Sequence, residues 1–207
     1  MHPNPAFRPD DRTRNLAFAR DRAFGLLTAN GPDGPLASHV PFALDEAGAQ
    51  AGMHLVRSTP LARALRDGPV PALLAVSGPD GYLSPDWYGV ADQVPTWNYV
   101  AVHLRGTLEL RPEAEMRTLL DAQSAAFEAR LAPKRPWTMD KMPEALVHKL
   151  MRQIVPCRLT VASVEGTWKL SQNKPDGVRL RAADAAAAST FGMELDALAA
   201  LMRAGQA

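Results

Sequence analysis

Short apolar runs and polar turns alternate through most of the chain. FGLLTAN, PLASHVPFAL, AGMHLVR and PALLAVS are apolar or alternating, and they are divided by GPDG at 31–34, by DEAG and by a second GPDG at 78–81. Runs of this length between turn signals predict antiparallel strands joined by hairpins. WNYVAVHLRGTLEL, from Trp97 to Leu110, sets Val100, Val102 and Leu104 on one side and Tyr99, Ala101, His103 and Arg105 on the other. That period of two predicts a long strand, with Gly106 as a bulge or barrel bend.

Helical spacing appears between and after these runs. Asp10 and Asp11 precede RTRNLAFARDR, where Leu16, Phe18 or Ala19, and Phe24 make one apolar face. In STPLARALRDG, Ser58 or Thr59 can cap, Pro60 suits a first helical turn and Gly68 stops the helix. Met116, Leu119, Leu120, Ala122 or Gln123, and Phe127 recur at helical spacing after Pro112, and Pro143 opens a shorter helix, PEALVHKLMRQI. RLTVASVEG is then a late strand leading into TWKLSQNKPDG, and the Ala-rich end with Phe191, Met193, Leu195, Leu198, Leu201 and Met202 reads as helical. The expected fold is α+β and mainly β, with one domain over 1–180 and a helical C-terminal extension over 181–207.

Composition narrows the function classes. With 207 residues, 46% of them hydrophobic, the chain can bury one good core. Lys+Arg 23 against Asp+Glu 22 leaves a formal charge of +1, without the basic excess that drives non-specific phosphate binding. No apolar run approaches the roughly 18 to 20 residues that span a bilayer, and MHPNPAFRPDDR lacks the apolar core of a signal peptide, so a cytoplasmic protein is expected. Cys157, the single cysteine, lies in the alternating run PCRLTV and reads as a buried strand residue rather than a reactive thiol.

Three groups of residues carry candidate chemistry. Arg57, Ser58 and Thr59 stand where a strand enters a helix; a guanidinium and two hydroxyls beside unpaired helix N–H groups make a phosphate seat, and the same residues also suit a simple cap with a solvated arginine. Tyr82, Ser84, Trp87 and Tyr88, followed by Trp97, Asn98 and Tyr99, offer ring faces and polar groups suited to a planar ligand, or else an aromatic cover over the barrel mouth. Lys169, Ser171, Gln172, Asn173 and Lys174 form an uncommonly polar segment after a strand, equally consistent with a phosphate or ring-edge contact and with a solvated turn. His39 and His54 suit polar contacts to a ligand, while His39, His54 and His103 lack the spacing of a metal site. GxGxxG, GxxxxGK[ST] and GxSxG are absent.

GPDGYLSPDWY, VPTWNYVAVHLRG and EGTWKLSQNKP, in this order, resemble the PaiB-type FMN-binding negative transcriptional regulators, as do HPNPAFRPDD, ASHVPF and LVRSTPLARAL. The resemblance covers about residues 1 to 180. It implies the FMN-binding split β-barrel also found in pyridoxamine phosphate oxidase, with peripheral helices, working as a homodimer with FMN at the subunit interface. On this resemblance Ser38 and His39 would line the flavin. His54, Arg57, Ser58 and Thr59 would hold ring or phosphate, and Trp97, Asn98 and Tyr99 would border the isoalloxazine. Lys169, Ser171, Gln172 and Asn173 would arrive from the other subunit. The implied function is lowered expression of particular genes. Direct DNA binding is not expected, since STPLARALRDG is one short helix followed by the strand-like PALLAVS. An FMN-dependent oxidoreductase acting on a small donor or acceptor is the alternative, and a haem-binding split barrel a lesser one.

Overall fold

A computed structural model describes residues 1–205. Seven strands form one sheet: β1 (Phe24–Gly31), β2 (Gly34–Leu44), β3 (Gln50–Val56), β4 (Val70–Leu83), β5 (Thr96–Leu110), β6 (Ile154–Lys169) and β7 (Gly192–Met193). Six helices accompany them: α1 (Arg12–Arg22), α2 (Pro60–Ala64), α3 (Met116–Glu128), α4 (Glu144–Met151), α5 (Asp176–Ala187) and α6 (Leu195–Ala204). Hydrogen-bonded neighbours run β1-β2-β3-β6-β5-β4-β7, and β1 also pairs with β4, so the first six strands close on themselves. No helix among the described residues is long and apolar enough to cross a membrane.

The residues cluster into two compact units. One comprises Leu16–Ala75 and Leu104–Val164. Its hairpin β1–β2 turns at Pro32-Asp33 with Gly31 opposite Gly34, whose φ of 127° only glycine adopts readily. Each strand buries alternate positions, Leu27 and Ala29 on β1 and Ala51, Met53 and Leu55 on β3, and these join Phe42, Leu74, Leu104, Leu108 and Leu159 in the core. Cys157, opposite Met53, is 1% exposed, and burial pushes its thiol up to about 12. Gly106 is a point of close approach: a Cβ there would stand 1.9 Å from the Thr160 carbonyl oxygen of β6.

The other unit comprises Met1–Asn15, Val76–His103 and the chain from Glu165 onward. Val100 and Val102 of β5 are buried, as the alternation requires, with Leu83, Tyr88 and Trp168. Trp168 donates its indole N–H to Asn15 Oδ1 at 2.8 Å, and the Arg14 guanidinium lies 4.0 Å from its ring centre. Helices α5 and α6 bury Ala182, Ala183, Ala186, Leu198, Ala199 and Met202. Arg179, 7% exposed, donates to the Met202 and Arg203 carbonyls and so satisfies the end of α6, where the helix dipole favours a cation.

Three local expectations are corrected. Phe24 does not extend the apolar face of α1; it opens β1, is 53% exposed and stacks on His39 at 6.2 Å. The second GPDG is not a turn but lies within β4, because Asp80 and Gly81 pair with Met193 and Gly192 of β7. For the same reason Phe191 and Met193 lie outside the C-terminal helices, in and beside a strand whose pairing outweighs their helical spacing.

Candidate functional site

Within the unit of Leu16–Ala75 and Leu104–Val164, Arg57, Ser58 and Thr59 occupy the turn from β3 into α2. Thr59 has extended backbone, and its hydroxyl donates to the Val56 carbonyl at 2.9 Å and accepts the Ala62 N–H at 3.3 Å, which is an N-cap. Arg57 donates to the Arg152 and Ile154 carbonyls at 2.9 and 3.1 Å and pairs with Glu113 at 2.8 Å. Its guanidinium thus ties the turn to the start of β6, and Ser58 is the exposed member of the three. Ser38 and His39 are consecutive on β2 and so face opposite sides; Ser38 is half-buried and His39 exposed.

His54 is half-buried, with Nδ1 3.3 Å from Gln123 Oε1, and the amide of Gln123 donates to the Gly52 carbonyl at 3.1 Å. A carboxamide oxygen only accepts, so Nδ1 carries the proton in this arrangement. Burial lowers the His54 pKa below the usual 6.5, against the smaller raising effect of the Gln123 bond. The unfolded chain therefore takes up this proton more readily, and the stability contributed by neutral His54 is present above about 6.5 and lost as pH falls through the lower folded value. The thermal midpoint should fall on acidification from about pH 7 to 5, and fall less in His54→Gln; an equal slope in the variant would assign the effect to another group.

In the second unit, the WNY and KLSQNKP blocks meet. The β-alternation parts Asn98 from its neighbours: Asn98 points inward in phase with Val100 and is fully buried, while Trp97 is 41% exposed and Tyr99 half-buried on the other face. Trp97 packs edge-on against Phe191 at 5.1 Å and Tyr82 at 6.4 Å. Asn98 Nδ2 donates to Ser171 Oγ at 2.9 Å, and the same oxygen lies 2.9 Å from the Tyr88 hydroxyl. Ser171 holds φ at 60°, unusual for a non-glycine residue, and is 4% exposed. Asn98 Oδ1 is buried and has no hydrogen-bond partner among the described residues.

Asn98 and two lysines line one cavity. Lys169, Lys174, Asn98, Ser171, Asn173 and Tyr88 line a space of about 220 Å³. Lys169 Nζ hydrogen-bonds Thr96 Oγ1 and lies 5.9 Å from the Phe7 ring centre, and burial lowers its pKa. Lys174 contacts Gln93 Oε1 and lies 5.5 Å from the Tyr88 ring centre. Gln172 is spent within the fold: its Oε1 accepts the Leu170 N–H at 2.8 Å and its amide donates to the Ala6 carbonyl at 3.0 Å. Tyr88 belongs to the aromatic group that the sequence offered for a planar ligand, whereas Thr96 and the N-terminal His2 and Phe7, which also line the cavity, were not picked out from the sequence. For His2 and Phe7 no local pattern announces a contact across the fold.

A closed antiparallel barrel with peripheral helices makes this a split β-barrel protein. The chain belongs to the family described as "Putative FMN-binding domain", whose model matches residues 1–163 and so ends before the KLSQNKP block. It is 26% identical over 159 residues to the protease synthase and sporulation protein PAI 2 of Bacillus subtilis, covering 76% of this chain and 75% of that protein. Its fold is similar to the FAD and heme binding protein from Mycobacterium smegmatis, with a TM-score of 0.57 at 18% identity, covering 90% of this chain and 82% of that one. It is also similar to the flavocytochrome Anf3 from Azotobacter vinelandii, with a TM-score of 0.54 at 17% identity over 81% and 72% of the two chains.

FMN fits the donors and acceptors of the second unit's cavity. The pyrimidine edge of an isoalloxazine presents an N–H flanked by two carbonyls; Asn98, whose buried Oδ1 is an acceptor without a partner among the described residues, lines the cavity together with two lysines. A buried acceptor left without a donor costs on the order of 1–3 kcal/mol, which a ligand N–H would recover.

Proposed function

We propose that this protein is an FMN-binding homodimer that lowers expression of particular genes without docking on DNA itself. The unpartnered Asn98 Oδ1 beside Lys169 and Lys174 is the observation that carries the flavin part of this reading. Lys169 and Lys174 would take the ring carbonyls and Asn98 the ring N–H, with Ser171 and Tyr88 holding the Asn98 amide in place. Bound FMN supplies reversible one- and two-electron redox chemistry; the chain's part is to orient the ring edge and keep water from it.

A cavity of about 220 Å³ is smaller than the roughly 300–1,000 Å³ of sites that enclose a ligand of this size, which supports completion of the site by a second copy of the chain. The resemblance assigns the phosphate to Ser58, Thr59 and Arg57, the last of which would have to share its guanidinium with the Arg152 and Ile154 carbonyls, and it assigns the ring to His54, to one of the oppositely facing Ser38 and His39, and to Trp97 and Tyr99 at its border. The regulatory role is supported by likeness to the PAI 2 protein and by the resemblance of the sequence to PaiB-type regulators. Action without DNA contact is supported by the length of α2, five residues leading into β4, and by the near-zero net charge.

Absorbance spectroscopy and light-scattering mass on the same purified sample test this reading. Flavin bands, present at once or after adding FMN, with twice the 22.4 kDa chain mass are expected. A colourless protein whose spectrum with added FMN is only the sum of protein and free FMN would overturn flavin binding, and a monomer that binds FMN tightly would overturn the shared site.

A further inference from the structure

We propose that the unit of Leu16–Ala75 and Leu104–Val164 carries a second binding site, for an uncharged and largely apolar small molecule, in the cavity covered by Trp137, Met139 and Met142. The space measures about 360 Å³, within the range of small-molecule sites, and is walled by Val56, Leu120, Trp137, Met139, Met142 and Leu150 among others. None of its eleven lining residues is ionisable. An ionised ligand would leave its charge unpaired there, so the charge character of the walls selects a neutral one. Three methionines, Met139, Met142 and Met151, supply adaptable apolar surface.

The roof is built from outside the cavity rather than by filling it. Glu128, at the end of α3, accepts the Trp137 backbone N–H at 2.8 Å and pairs with the Lys134 ammonium, and its carboxyl is held below the usual range chiefly by that lysine. Pro133, Pro136 and Pro143 stiffen the same stretch. Trp137 is therefore anchored by its backbone, and space remains beneath it. At the mouth, Leu150 is 44% and Val56 51% exposed, apolar surface that an occupant would remove from water. Ser124 and Gln153 of the lining make no side-chain hydrogen bond within the described residues, so each can bond one polar group of the occupant. The ligand class that matches is an alcohol, ketone or amide on an aromatic or aliphatic body.

Titration of the full-length protein with the neutral fluorescent probe N-phenyl-1-naphthylamine tests this. Saturable enhancement at one probe per chain is expected, with displacement at least tenfold better by a medium-chain alcohol than by the carboxylate of equal length. Ser124→Phe, which fills the space, and Leu150→Lys, which charges an exposed position at the mouth, should each weaken the probe at least tenfold while far-UV circular dichroism and FMN titration stay as in the parent. Absence of saturable binding, as when a second copy covers the mouth, would overturn the proposal. So would unchanged probe affinity in both variants, or equal displacement by the carboxylate. Because FMN binding is read separately, its failure and the failure of this site are told apart.

Discussion

Gly106→Ala should destabilise the protein by about 3 kcal/mol or more, the upper end of overpacking costs, and at a stability of roughly 5–15 kcal/mol this takes a large share. The reason is geometric. The new methyl would stand 1.9 Å from the Thr160 carbonyl oxygen and 3.1 Å from Val161 Cα, both backbone atoms of β6 that no side-chain rotation can move aside. Relief requires β5 and β6 to part where they are paired, so ladder hydrogen bonds are lost as well. Gly177, at the exposed start of α5, is the matching control, since a Cβ there meets nothing within 4 Å and Gly177→Ala should be neutral or slightly stabilising. Urea midpoints of the two variants decide it. If Gly106→Ala unfolds at the parent's midpoint, the close approach of the two strands is not a constraint on the fold.

Lys169→Met should weaken FMN by about 2 kcal/mol, roughly thirtyfold in Kd, the range for loss of a hydrogen bond to a charged group. Methionine keeps much of the apolar stem beside Phe7 and removes the ammonium, so packing is spared and charge is tested. Arg203→Ala, on the exposed face of α6 where Arg203 pairs with Asp184, should leave FMN affinity unchanged. Quenching of flavin fluorescence gives both constants. Parent-like affinity in Lys169→Met would remove the ring edge from this cavity and leave the chain's family membership untouched.

Much of the architecture was legible because it follows from local periods. The alternation from Trp97 to Leu110 sets Val100, Val102 and Leu104 on one face without reference to any partner strand, and that face is the buried one. Ser58 or Thr59 with Pro60 marked the start of α2, and of the two hydroxyls that of Thr59 makes the cap. The candidate site was legible in composition, since WNY and KLSQNKP stood out as polar and aromatic blocks. Their internal division of labour was not. Trp97, Asn98 and Tyr99 look like one group along the chain, and only the strand's pleat sends Asn98 inward and the other two outward.

The tripeptide Pro-Asp-Gly separates the two kinds of information. At 32–34 it turns the hairpin between β1 and β2, at 79–81 it runs inside β4, and at 175–177 it leads into α5. The sequence by itself determined strand faces, helix starts and the class of side chain at each candidate site, because those depend on spacing within a few residues. Tertiary structure alone decided which turn signal would turn, through the pairing of Asp80 and Gly81 with β7, and which polar residues would meet, through the bond from Asn98 to Ser171 across 73 residues. The physical reason is that a backbone dihedral preference is local, whereas a hydrogen-bond partner and a packed neighbour are supplied by chain brought back from a distance.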